Sequence, residues 1–555
     1  MGSQRNNYEE YFLPLKDKKA QKKLFSELID LCFDFYSGKI RNNKFLVYKS
    51  PEELKKMVAE SLPHKGTKIN NLLKILKDPI GKYSIAQFDL NYLAFPDSGN
   101  GIPAFLADIY SKFLNQNMIN FTRSAPIATF IEIQLIEWLR EIIGYDYKPL
   151  EKINFLSEVS GMITTGGCMS NNICVMAALN YSFPEIKGKG LTSLNFQPAI
   201  IMSGAISHYS YSSAAHQLGI GQDSLLIAGA TPEYTTDLES VEELLKNPPE
   251  GKRPFMVVGV AGNSRTTGID DLNGLEKLCR KYNVWFHTDA CHGGCFLFSK
   301  KHRKKLDGIE KADSVSLDPH KGLFSPYPLS FAMFKQRDTL VRFTRYEEKV
   351  RNGEAWDLGY ITPFYGSRGF ESLKMWLTIK ALGVDGIGKI VDNRQKISVY
   401  ISDTIIKSKY FSVFNEMSFY RMVFVYYPQK IKDRVDKEEL SFEQKLKIKQ
   451  FIDDFTHKIN EKLYTSGELC LDEFKLDDLG NFTNLDTKDK FVVMSISNGN
   501  PKHTKKTIRK ALNKLFKLCK ANLPLMNKKV MGVINRTNDL SIKKDTKNYG
   551  PAGWS

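Results

Sequence analysis

Between residues 199 and 334 the chain carries five short runs that are mostly apolar. They are Ala199-Ile-Ile-Met-Ser-Gly204, Phe255-Met-Val-Val-Gly-Val-Ala-Gly262, Val284-Trp-Phe-His-Thr-Asp289, Ser314-Val-Ser-Leu317 and Ser330-Phe-Ala-Met-Phe334. Residues 238–245 and 272–282 have helical periodicity and lie between them. A strand that is apolar on both sides must be covered on both faces. Such strands alternating with helices predict an α/β fold with an open, mostly parallel sheet. Ligands in such sheets sit beyond the carboxyl ends of the strands. Polar clusters fall at those ends: Ser207-His-Tyr-Ser210, Asn263-Ser-Arg-Thr-Thr-Gly268, Asp289-Ala-Cys-His-Gly-Gly294 and Asp318-Pro-His-Lys321.

Upstream, Met162-Ile-Thr-Thr-Gly-Gly-Cys-Met-Ser-Asn171 reads as a strand, a glycine turn and the start of a helix. Paired glycines let a backbone close on an anion, and the helix start supplies free N–H groups. The run lacks the Gly-Lys-Ser/Thr ending of a nucleotide loop and the dinucleotide fingerprint.

The whole chain reads as four regions. Residues 1–90 form a charged helical segment, with helices expected over 19–35 and from Pro51. Residues 91–385 hold the large domain, opening on a turn-rich loop at 91–101 and two helices at 104–115 and 130–143. A long polar stretch at 336–370 has the character of a lid. Residues 386–522 read as a smaller α/β domain with strands at 411–414, 422–427 and 491–496 and helices at 444–463 and 504–519. Residues 523–555 read as a basic, loosely held tail.

The net charge of +17 is concentrated late, since residues 500–555 hold 14 Lys/Arg against 2 Asp. A basic end of this kind is a solvated face before it is a nucleic-acid site, so no specific nucleic acid is expected. Eight dispersed cysteines suit reduced thiols in the cytoplasm. No apolar run has the length of a membrane span, and the amino end lacks a secretory core. Cys291-His292-x-x-Cys295 provides too few ligands for a metal centre, so none is expected. Gly293 and Gly294 are ascribed instead to close approach of the backbone to a bound group.

Together the strand-end residues meet the demands of pyridoxal 5′-phosphate. That cofactor needs a lysine for its aldehyde, a carboxylate for its pyridine nitrogen, a flat group over its ring and an anion site for its phosphate. Lys321, Asp289, His208 and the turn at Gly167 and Cys168 offer these in order.

The ordered set resembles the group II pyridoxal-phosphate-dependent amino-acid decarboxylases, from about Asn91 to Lys380. It comprises Asn91-Tyr-Leu-Ala-Phe-Pro, Leu114-Asn-Gln-Asn117, Thr165-Gly-Gly, Ser207-His-Tyr-Ser, Asp289-Ala-Cys-His-Gly-Gly294, Asp318-Pro-His-Lys321 and Gly366-Ser-Arg-Gly-Phe-Glu-Ser-Leu-Lys-Met-Trp376. Asn500-Pro-Lys-His-Thr504 resembles a late segment of that family with one residue extra.

The resemblance implies an aspartate-aminotransferase-like fold (fold type I) and a homodimer. It implies decarboxylation of an amino acid to its amine and CO2 through a Schiff base on Lys321. It further implies that Asp289 pairs with the pyridinium, His208 stacks on the ring and Gly167 and Cys168 grip the phosphate. His320, Ser264 and Cys291 would line the cofactor, and Tyr346 on a mobile loop would protonate the product. Phe95 and Asp97 would face the substrate. Asn263-Ser264-Arg265 departs from the family's turn and adds a cation. Two other outcomes remain open on the same scaffold, carbon–carbon lysis and decarboxylative aldehyde formation. A non-catalytic protein binding through its basic end is the rival of another class.

Overall fold

The structure is a computed structural model that describes residues 11–204, 208–344, 346–353, 355–364 and 366–535. Ser207 and residues 536–555 lie outside the described residues.

Seven strands form the large sheet: β1 (Gly161–Thr164), β2 (Gln197–Ser203), β3 (Leu225–Ala228), β4 (Lys252–Val260), β5 (Trp285–Asp289), β6 (Ser314–Leu317) and β7 (Ser330–Phe334). Their spatial order is β1-β7-β6-β5-β4-β2-β3. The pairings β2/β3, β2/β4, β4/β5 and β5/β6 are parallel, whereas β7 runs antiparallel to both β1 and β6. The five predicted runs are all strands. β3 escaped the sequence reading because its apolar run, Leu-Leu-Ile-Ala, is only four residues long; it lies at the sheet edge, where Ile227 is exposed.

In β5, β6 and β7 every residue is buried, because the sheet is covered on both faces there. The helix Gly167–Ser182 packs on this sheet and buries Ile173, Cys174, Val175, Ala177 and Ala178. The paired register His287↔Ser314, Thr288↔Val315 and Asp289↔Ser316 brings the ends of β5 and β6 level. Their following loops therefore open at one height.

A long helix, Ser372–Ser408, leads to a second core and bends where Gly383 adopts φ +64°. That core surrounds an antiparallel sheet of β8 (Phe411–Val413), β9 (Arg421–Tyr426), β10 (Asp472–Leu476) and β11 (Phe491–Ser497), in the order β10-β11-β9-β8. β10 was missed because Asp-Glu-Phe-Lys-Leu alternates polar and apolar residues and reads as surface.

The expectation of a loose chain after Leu523 is corrected as far as Ile534. The last described helix runs from Lys505 to Ile534, straight through Pro524. Met526 and Val530 continue the buried stripe of Leu512, Leu515 and Cys519, and packing against the helix Phe442–Thr465 outweighs the proline.

Met526→Ala is expected to destabilise the protein by about 2–5 kcal/mol, the usual cost of emptying a buried methionine site. Denaturant unfolding followed by tryptophan fluorescence measures it.

Candidate active site

Beyond the carboxyl ends of β4, β5 and β6 lies a cleft of about 180 Å3. It is lined by Gly167, Cys168, His208, Ser264, Asp289, Cys291, His320 and Lys321, all named from the sequence, together with Asn171, Asn263, His292 and Asp318. Residues 154 positions apart in the chain thus meet because each follows a strand or opens a helix at the same edge.

Asp289 ends β5 at the floor of the cleft. Its Oδ2 accepts hydrogen bonds from Asn171 Nδ2 (2.9 Å) and from the Tyr211 hydroxyl (3.3 Å). Its Oδ1 accepts from the Cys291 backbone N–H at 3.1 Å and the Ser316 hydroxyl at 3.4 Å. Burial works to raise the Asp289 carboxyl. His287, Lys321, His208 and the Asn171 bond outweigh it and hold the group below the ordinary carboxylate range. The charge is therefore kept in a place where an isolated charge would be expensive. Beneath it, His287 is buried and pushed down to about 4, chiefly by desolvation. Its Nδ1 shares a 2.8 Å hydrogen bond with Ser314 Oγ.

Lys321 occupies a short helix, Pro319–Gly322, directly after β6. Its Nζ lies 2.9 Å from Asp318 Oδ2. Burial works to lower the lysine, but Asp318, Cys291 and Asp289 reverse that and raise it well above its ordinary value. His320 donates from Nδ1 to the Leu329 carbonyl at 2.7 Å, which leaves Nε2 turned toward Asp318 at 3.7 Å.

His208 accepts the Ser210 backbone N–H on Nδ1 at 3.2 Å. Desolvation is the largest influence and lowers its pKa, so the ring is neutral near pH 7. A neutral imidazole can cover a cationic heterocycle without like-charge repulsion. The helix Gly167–Ser182 points its amino end into the cleft, where Gly167 and Cys168 present first-turn N–H groups. A Cβ added at Gly167 would come within 2.8 Å of both Asp318 Oδ2 and Cys291 Sγ. Only glycine fits that turn.

Four residues named from the sequence do not line this cleft. Tyr346 stacks on Tyr360 with ring centroids 4.3 Å apart and is not among the cleft-lining residues. Asp97 is buried beside the cleft and lines a neighbouring apolar groove, and Phe95 lies 5.6 Å from the Arg421 guanidinium. Arg265 turns away, donating to the Lys475 carbonyl at 2.8 Å. The explanation given for Gly293 and Gly294 is also corrected. A Cβ at Gly293 would strike the Ala261 carbonyl at 2.3 Å and one at Gly294 would strike Leu317 at 2.4 Å, so neighbouring strands demand these glycines.

Sequence reasoning missed Asn171, Tyr211 and Asp318. Asn171 had a readable signal, because it lies one helical turn after Gly167 and shares its face. Asp318 was read only as the end of a strand.

The family model for the pyridoxal-dependent decarboxylase conserved domain matches residues 51–427. The chain belongs to that family. It is an amino-acid decarboxylase, a carboxy-lyase, and its cofactor is pyridoxal 5′-phosphate. The acidic amino acid decarboxylase GADL1 of Mus musculus is 28% identical over 471 residues, covering 82% of this chain and 81% of the relative. The L-2,4-diaminobutyrate decarboxylase of Acinetobacter baumannii is 24% identical over 480 residues, covering 83% and 88%. The crystal structure of mouse CSAD superposes with a TM-score of 0.79 at 24% identity, covering 90% of this chain and 99% of that one. That of Catharanthus roseus tryptophan decarboxylase in complex with L-tryptophan gives 0.76 at 19% identity, covering 92% and 100%. The decarboxylase thus has the fold expected from its sequence, type I with a smaller carboxyl-terminal sheet.

The cleft suits the cofactor, since amine, carboxylate, neutral imidazole and helix amino end all face one space. Asn171→Leu removes one of the donors that keep Asp289 ionised. It is expected to weaken pyridoxal phosphate binding by roughly 10-fold, in line with about 1.5 kcal/mol for a hydrogen bond to a charged group. Fluorescence titration of the apoprotein measures it.

Proposed function

We propose that this decarboxylase converts a small polar L-amino acid to its amine and CO2, with Lys321 holding the cofactor and Asp289 keeping its ring an electron sink. The observation that carries this reading is the shared cleft, with the Lys321 amine and the Asp289 carboxylate both facing it. Bound pyridoxal phosphate supplies a conjugated sink for the electrons left when CO2 departs. In this reading the Asp289 carboxylate would pair with the ring nitrogen and keep it protonated, His208 covers one face, Gly167 and Cys168 bind the phosphate, and His320, Ser264 and Cys291 complete the walls. Lys321 accepts and returns the proton of the incoming amine.

A polar substrate is supported by the lining, where His292, Ser264 and Asn263 outnumber the single aliphatic side chain of Val260. The relatives' names point the same way, toward acidic amino acids and diaminobutyrate. Asp97 and Phe95 are assigned to the substrate side, where a second copy of the chain would close the neighbouring groove. That dimer is supported by the amino-terminal helices Lys18–Tyr36, Pro51–Val58 and Ile69–Ile75, which bury no residue within their own chain. Phe33, Val58 and Leu106 are each more than 60% exposed. Among the described residues no helix is long and apolar enough to cross a membrane. The eight cysteines are all free, which supports a reducing cytoplasmic setting.

Tyr346 is assigned the protonation of the product carbon from the lid. Tyr346→Phe is expected to lower amine formation by about 10²–10⁴-fold, the usual worth of a general acid, while CO2 release continues. Amine, CO2, aldehyde and peroxide are quantified together across the twenty amino acids. Aldehyde from the unaltered protein would turn the assignment to an aldehyde synthase. Separately, Phe33→Asp with Leu106→Asp is expected to halve the mass in light scattering.

A further inference from the structure

The last described helix, Lys505–Ile534, carries eight lysines, one arginine and no acidic residue along its 30 residues. All nine cations are exposed except Lys514, which is half-buried. Among the described residues none of the nine forms an ion pair. Lys505 and Arg509 lie against Tyr400, Lys514 donates to Asn91 and the Glu468 carbonyl, and Lys529 lies over Phe451. Lys506, Lys510, Lys517, Lys520 and Lys528 have no such contact among the described residues. At 3.6 residues per turn these five fall within an arc of about 80° and extend over about 33 Å. The arc lies opposite the stripe of Ile508, Leu512, Leu515, Cys519, Met526 and Val530 that is buried in the small domain.

A face that only meets water has no need of this pattern. The neighbouring helix Phe442–Thr465 mixes both signs and pairs Lys449 with Asp453 at 2.7 Å. In Lys505–Ile534, by contrast, Lys506, Lys510 and Lys514 are like charges one turn apart. Lys505 and Lys506 also occupy the first turn, at the positive end of the helix dipole. Both arrangements work against the helix, and an anionic surface facing the row relieves both.

The chemistry of the row favours one kind of polyanion. The one aromatic residue of the helix, Phe516, packs against the core, so no ring on the exposed side can stack on a base. The opposite half of the helix is sunk in the small domain and is not free to enter a groove. Leu525, 45% exposed and three residues before Lys528, adds an apolar contact beside the ammonium groups. We propose that this face docks the decarboxylase peripherally on an anionic lipid membrane. None of the row lines the catalytic cleft. Each lysine held at such a surface is worth roughly five-fold in partitioning, and salt screens the attraction.

The test is co-sedimentation of the full-length holoenzyme with vesicles of phosphatidylcholine mixed with phosphatidylserine, against vesicles of phosphatidylcholine alone. Binding is expected only to the mixed vesicles, and it should be lost between about 0.1 M and about 0.5 M salt. Lys506→Gln with Lys510→Gln and Lys517→Gln should weaken partitioning on the order of 100-fold. The same loss of charge at the exposed Lys300, Lys301 and Lys304 of the large domain should change it only a few-fold. Amine formation without vesicles, unchanged in both, shows that the variants are folded. Should the helix variant lose it, Lys520→Gln with Lys528→Gln carries the test, with about 25-fold expected. No binding to the mixed vesicles, equal binding to both kinds, or equal losses in the helix and control variants would overturn the proposal. So would retention on polyuridylate RNA, at salt that strips the vesicles, that the helix variant abolishes.

Discussion

A buried negative charge at the end of β5 is the constraint on which the site depends. Asp289 could not remain ionised in the core unless something held it so, and five groups do. Asn171, Tyr211, Ser316 and the Cys291 backbone donate to it, and Lys321 lies within electrostatic reach. Each donor comes from a different element: the helix Gly167–Ser182, the helix Ser210–Gln217, β6 and the loop after β5. The parallel register of β5 and β6 aligns them. Fold and chemistry are thus tied at one carboxylate, since shifting any of these elements would leave it less compensated.

Much of this was legible beforehand because strand and helix leave different periodicities and because parallel sheets put ligands at one edge. β5, β6 and β7 stood out as short, largely apolar runs, and the polar residues following the parallel β5 and β6 fell at one edge. What was illegible depended on surroundings rather than on local pattern. β10 alternates polar and apolar residues and looks like surface in sequence, and β3 is a four-residue apolar run at the sheet edge. The helix to Ile534 passes a proline that a local reading treats as a stop. Gly293 and Gly294 lie beside the site, but the atoms that exclude a side chain there belong to Ala261 and Leu317. Asp318 looked like punctuation because its partner, three residues on, pairs with it only in the short helix Pro319–Gly322. The place of Tyr346 against Tyr360 could not be read from spacing in a polar stretch.

The loop that opens the large domain is held from the far end of the chain. Asn500 donates to the Phe88 carbonyl at 2.7 Å across 412 positions. His503 places Nδ1 2.8 Å from Asn498 Oδ1 and Nε2 3.2 Å from the Leu90 carbonyl; burial lowers its pKa to about 4, and the neutral ring donates to one of the two. During synthesis, the stretch around Leu90 leaves the ribosome long before residues 498–503 exist. That contact can set only once residues 498–503 have been made, so the segment opening the large domain completes its packing after the rest of that domain has been synthesised.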